Sequence, residues 1–288
     1  MAQYEYIVKN PSLFVLLMLL FSGVMHAGWN AMAKGLSDTR TNFALLNLGV
    51  FIFAISVLPF TGFTPGRVFW YEAASIGIHQ LYQLVLMVSY TKGEFSTAYP
   101  VARGIAPLLV SFAGVALANE HLTAWSYCGV VVVALGIISL SWSSRARVAT
   151  PSAIWWALGT GVAIASYTVI DGYGVRADGN ALQYSATLFF CQSLMWLVAV
   201  SLRRGRTWIP PRKTLSLGAL GGLISMVAYS IVLWGQTRTT LGVVSALRET
   251  GVVWAAILGV FLFREGRVAT VIVPAAFVAA GIVLLAMG

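Results

Sequence analysis

Arg103, Arg248 and Glu249 are charged side chains set inside stretches of sequence that are otherwise apolar. Charge within hydrocarbon is costly, so such residues face a partner, a cavity or a substrate path. A guanidinium suits carboxylates and phosphates through its paired N–H donors. Glu249, the deepest carboxylate in the chain, suits either a coupling proton or a structural pairing with Arg103 or Arg248. Arg248 and Glu249 are adjacent, so on a helix they leave the axis about 100° apart and are not expected to pair face to face. Asp171 is a second intramembrane carboxylate and a second coupling candidate.

Polar and aromatic residues recur around these charges at helical spacing. Ser75, His79, Tyr82 and Gln83 fall at i, i+4, i+7 and i+8, and Ser96, Tyr99 and Arg103 at i, i+3 and i+7, so each set shares one face. Further along, Ser225 and Tyr229 share a face, and Ser245 precedes Arg248 and Glu249 by one turn. His26, Trp29 and Asn30 lie in the first apolar stretch, and Ser166 and Tyr167 precede Asp171 in the sixth. If the stripes converge, His79, Tyr82, Gln83, Tyr99, Arg103, Asn30, Tyr229, Arg248 and Glu249 would line a polar, aromatic-rich cavity. Each has a plainer alternative. A lone membrane histidine is commonly just hydrogen-bonded, and aromatic side chains also fill cores and anchor interfaces. Pro100 and Pro107, with Gly104 between them, remove backbone donors from the stretch that carries Tyr99 and Arg103. They mark either a static kink or a gate.

The elements that must position these residues are membrane-spanning helices. Of 288 residues, 59% are hydrophobic and 9% charged, with a mean hydropathy of +0.83. A soluble surface cannot be covered with so few charges. Runs near twenty residues match the roughly 30 Å hydrocarbon core when helical, and the strict alternation of a β-barrel strand is absent. Ten spans are predicted, at 12–34, 42–61, 68–91, 95–118, 122–143, 152–174, 181–203, 214–236, 240–263 and 267–287. The connections are too short for a soluble domain, so residues 1–288 read as a single membrane domain. The first apolar run lacks a signal-peptide cleavage pattern and continues into His26, Trp29 and Asn30, which predicts an uncleaved helix.

The chain repeats at an offset of 145 residues. Residues 101–140 and 246–285 share eleven identities in forty positions. They include Arg103 with Arg248, Gly114 with Gly259, Glu120 with Glu265, and Gly136-Ile137 with Gly281-Ile282. An intramembrane Arg, an acid seventeen residues on and a Gly sixteen beyond that occur twice, which implies a duplicated half. Residues 12–143 form the first repeat and 152–287 the second. Five spans per half is an odd number, so the second half enters the membrane inverted, an arrangement suited to alternating access. Glu120 and Glu265, at matching span ends, suggest a shared capping or loop role rather than substrate contact. Gly218 and Gly222 form a GxxxG step expected at a close helix crossing.

The net charge of +9 does not point to nucleic acid, because the basic residues sit at span ends rather than in a patch with aromatics. With the N-terminus outside, twelve loop Lys and Arg fall inside, including Lys92, Arg145, Arg147, Arg206 and Arg264. Four remain outside: Lys9, Arg67, Arg176 and Arg238. The bias favours both termini outside a bacterial inner membrane. Cys128 and Cys191 read as small buried hydrophobes, with no metal or disulfide pattern. Zinc, serine-hydrolase and Walker A motifs are absent, so neither a membrane-embedded enzyme, a cofactor nor an ATPase subunit is expected. The expected partners are a small-molecule substrate and the lipid bilayer, and an oligomer is compatible with the sequence.

The segments HAGWNAMAK at 26–34, AYPVARGIAPLL at 98–109 and SALRETGVVWAAILGVFLFRE at 245–265 resemble the drug/metabolite transporter superfamily, specifically its ten-helix EamA-type members. The resemblance extends over essentially the whole chain. It implies an all-α integral membrane fold, two inverted five-helix repeats around a central cavity, and secondary transport without ATP. Relatives export amino acids and other small metabolites, or carry nucleotide-sugars and sugar phosphates. The cluster of Tyr82, Tyr99 and His79 beside few fixed charges favours aromatic or bulky neutral amino acids. Sugar-phosphate carriage would call for more Lys and Arg at mid-depth.

Overall fold

A computed structural model describes residues 11–34, 39–92, 95–143, 151–204, 212–262 and 269–288. All of the regular structure in them is helical: α1 Leu13–Lys34, α2 Thr39–Thr61, α3 Gly66–Lys92, α4 Phe95–Ala118, α5 Ala124–Ser143, α6 Pro151–Asp178, α7 Ala181–Arg204, α8 Arg212–Gln236, α9 Leu241–Glu249, α10 Gly251–Leu262 and α11 Ala269–Met287. α9 and α10 occupy one predicted span, so the ten predicted spans are present with ends shifted by a few residues.

The surface is that of a protein in hydrocarbon. Phe14, Phe21, Ile52, Phe112, Trp155 and Phe261 are exposed, whereas Arg103, Arg248, Glu249 and Asp171 are buried. Among the described residues, five spans are long and apolar enough to cross a membrane by length and composition: Tyr99–Ala118, Ala124–Ser141, Leu215–Gln236, Leu241–Leu258 and Thr270–Met287. α3 and α6 are as long but less apolar, because Glu72, Ser75, His79 and Asp171 replace hydrophobes on their inner faces. The chain is a multi-pass membrane protein. Trp70, Tyr71, Trp125, Trp155 and Trp156 are exposed near helix ends, where an interfacial belt belongs. The side chains of Trp142 and Trp208 lie outside the described residues. Cys128 is exposed and Cys191 half-buried. The expectation of a buried cysteine is corrected for Cys128, which α5 turns outward, whereas Cys191 is half-buried near the buried Glu72.

The packing is symmetric under the 145-residue offset. α3 lies on α6 as α8 lies on α1, and α4 lies on α6 as α9 and α10 lie on α1. α2 pairs with α7, α4 with α9 and α5 with α11, each with its own counterpart. The α5–α11 crossing shows the relation at atomic level. A Cβ on Gly136 would lie 3.0 Å from Val278 and 3.1 Å from the Pro274 carbonyl. One on Gly281 would lie 2.6 Å from Val133 and 3.0 Å from the Gly129 carbonyl. Val133 and Val278, like Gly129 and Pro274, are 145 residues apart. Each duplicated glycine thus opens the same crossing from the opposite side.

The GxxxG step also makes a close crossing. A Cβ on Gly222 would run into the Leu46 carbonyl of α2, and one on Gly218 into Leu45. Small residues here let two backbones approach without a side chain between them.

Candidate functional site

Arg103 of α4 and Arg248 of α9 converge on one carboxylate. Arg103 Nε lies 2.7 Å from Glu249 Oε2, and Arg248 Nη2 lies 2.7 Å from Glu249 Oε1. Arg248 Nε adds a hydrogen bond to the same Oε1 at 3.0 Å. Adjacent helix positions do therefore pair here. The Arg248 stem is long and flexible, and its guanidinium curls back across the 100° that separates the two Cα–Cβ directions. Arg103 Nη2 also donates to His26 Nε2 at 2.9 Å. Arginine can only donate, so Nε2 is an acceptor and the imidazole is uncharged; the Trp29 indole Nε1 lies 3.2 Å from the other ring nitrogen, Nδ1. The Trp29 ring then meets His26 edge-on, at 5.1 Å and 84°.

Tyr167 of α6 lies at the centre of an aromatic group beside this triad. It stacks on His79 of α3 at 3.9 Å and meets the Tyr82 ring edge-on at 5.9 Å. Its hydroxyl accepts from Arg248 Nη2 at 3.3 Å, and the Arg248 guanidinium lies 5.7 Å from its ring. Arg103 lies 5.5 Å from the Tyr99 ring. Tyr229 of α8 is 6.2 Å from His79 and 6.0 Å from the Arg248 guanidinium. His79, Tyr82, Tyr99 and Tyr229 are each half-buried, and Tyr82, Tyr99 and Tyr229 pack against buried core clusters.

Asp171, one helical turn from Tyr167 on α6, accepts from Tyr229 Oη at 2.5 Å and Tyr184 Oη at 3.0 Å. Ser75 and His79 also face it from α3, and His79 Nδ1 lies 3.2 Å from the Ser75 hydroxyl. The expected stripes thus converge: His79, Tyr82, Tyr99, Arg103, Tyr229, Arg248, Glu249 and Asp171 fall in one connected cluster. The side chains of Asn30 and Gln83 lie outside the described residues. Tyr167 and His26 join the cluster as central members. Tyr167 is four residues from Asp171, a same-face spacing that flags it only once Asp171 is taken as inward-facing.

The expected gate residues behave differently. α4 is continuous through Pro100, Gly104 and Pro107. Gly104 lies against α5, where a Cβ would be 2.5 Å from Ile138 and 3.0 Å from the Ala134 carbonyl. The interruption falls instead between α9 and α10, at Thr250. The Thr250 N–H bonds the Leu247 carbonyl three residues back, at 3.3 Å, and its hydroxyl bonds the same carbonyl at 2.6 Å. A hydroxyl competing for a backbone acceptor loosens a helix, and a tightened turn inside one is a common hinge.

A separate ionic cluster closes one end of the bundle. Asn119 adopts a left-handed φ of 49°. It turns the chain so that Glu120 folds back on Gly114, where a Cβ would strike the carboxylate. Glu120 accepts the Leu241 N–H at 2.9 and 3.0 Å. It thereby caps α9 where Thr240, the N-cap residue, offers no side-chain bond. Arg176 of α6 bonds Glu120 at 2.6 Å, the Gln236 carbonyl at 2.7 Å and the Thr239 carbonyl at 3.1 Å. One carboxylate and one guanidinium therefore tie together the ends of α4, α6 and α8 and the start of α9. Glu265, the repeat partner of Glu120, lies outside the described residues.

Residues 151–287, the second five-helix half, match the EamA-like transporter family. A crystal structure of another protein has the same fold, with a TM-score of 0.76 at 16% identity over 96% of this chain and 99% of that one. No curated protein matches the chain.

Proposed function

We propose that this membrane transporter, a member of the drug/metabolite transporter superfamily through its EamA-like second half, exports aromatic or bulky neutral amino acids by alternating access. The observation that carries the reading is the mid-membrane cluster. Two guanidiniums share a single carboxylate and so keep a net positive charge, directly beside a wall of Tyr82, Tyr99, Tyr167, Tyr229 and His79. A substrate carboxylate complements the first feature and a large apolar side chain the second. A sugar phosphate or nucleotide-sugar brings more negative charge than the one uncompensated guanidinium matches.

Alternating access within a single membrane domain of two inverted repeats needs a closed face that can open. The Glu120–Arg176 clasp suits that role, since it joins the ends of four cavity-lining helices. The distribution of Lys and Arg puts this face, and both termini, outside the inner membrane. Of the two carboxylates expected to carry a coupling proton, Glu249 is held by two guanidiniums. Asp171 is held by neutral hydroxyls and is the one open to a cationic group.

The test is counterflow into proteoliposomes holding the purified protein, with labelled neutral, aromatic and charged amino acids. Accumulation of phenylalanine, tryptophan or leucine supports the reading. Exchange of sugar phosphates without any amino acid would overturn it.

A further inference from the structure

The basic and acidic groups of the central cluster are not evenly placed. Arg103, Arg248 and Glu249 together leave one positive charge on the α4–α9 side. His26 adds none, because its Nε2 accepts from Arg103. Asp171 contributes one negative charge on the α3–α6–α8 side, where both carboxylate oxygens accept from tyrosine hydroxyls and no Lys or Arg pairs with it among the described residues. The other groups facing Asp171 are His79 and Ser75 of α3, and the more distant Glu72, which is also acidic. Tyr229 spans the two sides: its hydroxyl meets Asp171 at 2.5 Å, and its ring lies 6.0 Å from the Arg248 guanidinium. A buried carboxylate without a counter-charge is expensive in a membrane interior.

Resting on the amino-acid reading above, we propose that Asp171 is the determinant that recognises the substrate's ammonium group, with Tyr184 holding its carboxylate in place. The substrate lies as a zwitterion between two poles one tyrosine apart. Its carboxylate is on the Arg103–Arg248 side, its ammonium toward Asp171 in place of the Tyr229 hydroxyl, and its side chain against Tyr82 and Tyr99. A neutral but dipolar ligand matches both poles. A simple anion leaves Asp171 uncompensated, and a simple cation leaves the guanidinium pair so. Specificity then comes from the unmatched pole as much as from the matched one.

The test compares phenylalanine with 3-phenylpropionate, which lacks the amine, and 2-phenylethylamine, which lacks the carboxylate. Each is used as a competitor of labelled phenylalanine binding and counterflow at fixed pH with no proton gradient. Phenylalanine should compete at least about thirty-fold better than either analogue, as loss of one buried charge partner implies. Asp171→Asn should abolish that preference over 3-phenylpropionate by weakening phenylalanine and tightening 3-phenylpropionate, whose retained binding also serves as the check on folding. Should Asp171→Asn not fold, Tyr184→Phe should narrow the preference several-fold with the carboxylate still present. If the unaltered protein binds phenylalanine and 3-phenylpropionate equally, Asp171 does not see the ammonium and the assignment fails while amino-acid transport stands. The assignment fails equally if Asp171→Asn weakens both ligands alike, or alters only the response to an imposed proton gradient. If the unaltered protein neither binds nor exchanges any amino acid, the functional reading and the assignment fall together.

Discussion

α4 and the α9–α10 span correspond under the 145-residue offset, yet they differ in detail. Each presents an arginine at the matched position, Arg103 and Arg248. The next residue is Gly104 in one copy and Glu249 in the other. Gly104 lets α4 lie against α5, whereas Glu249 neutralises one charge of the arginine pair. α4 carries two prolines and is unbroken, and its counterpart carries none and is interrupted at Thr250. A proline in a membrane helix does not by itself make a hinge, because neighbouring groups satisfy the carbonyl it frees. A hydroxyl that competes for a backbone acceptor can loosen a helix without any proline. The two matched arms thus differ: α4 is unbroken and packs on α5 at Gly104, whereas the α9–α10 span carries the carboxylate and the turn at Thr250.

The sharpest way to break this comparison is to remove the single carboxylate. Glu249→Gln leaves Arg103 and Arg248 buried without their partner and should cost about 3–5 kcal/mol, read as a large fall in melting temperature in detergent. Gly104→Ala at the matched position should cost only about 1–3 kcal/mol, the usual range for overpacking against a neighbour that can shift. Equal losses would mean that Glu249 fills space rather than balances charge.

The aromatic wall separates function from stability. Tyr82→Ala and Tyr99→Ala should abolish counterflow while melting temperatures stay nearly unchanged, because both rings are only half-buried. A parallel loss of transport and stability would make them core residues instead.

Glu120→Gln keeps an acceptor for the Leu241 N–H but drops the ion pair with Arg176. It should weaken the clasp by about 1–3 kcal/mol, the range for a hydrogen bond to a charged group. The readout is faster labelling of a cysteine introduced at Ser245, and unchanged labelling would remove the clasp from the gating account.

The smallest effects fall on the two candidate joints. Thr250→Val removes the competing hydroxyl and should slow transport several-fold with a stability change within about 1 kcal/mol. Pro100→Ala and Pro107→Ala should each leave the transport rate within about two-fold, since their helix is already continuous. A reversal, with the prolines essential and Thr250 dispensable, would exchange the roles of the two arms.

The sequence by itself determined the membrane fold, the number of spans and the duplicated halves. Those properties rest on local composition, on helical periodicity and on an offset that can be counted along the chain. It also nominated most of the central cluster, because a polar side chain within an apolar run is costly and therefore conspicuous wherever it points. The tertiary structure decided which of those residues meet. Arg103 and Glu249 are 146 positions apart, and only the crossing of α4 and α9 makes them partners. Tyr167 is unremarkable as one of eleven tyrosines until α3 and α6 pack and stack it on His79. The helix interruption at Thr250 and the capping of α9 by Glu120 were equally hidden, for the same reason. Both depend on which carbonyl or N–H a side chain reaches in three dimensions, and that distance is set by packing rather than by spacing along the chain.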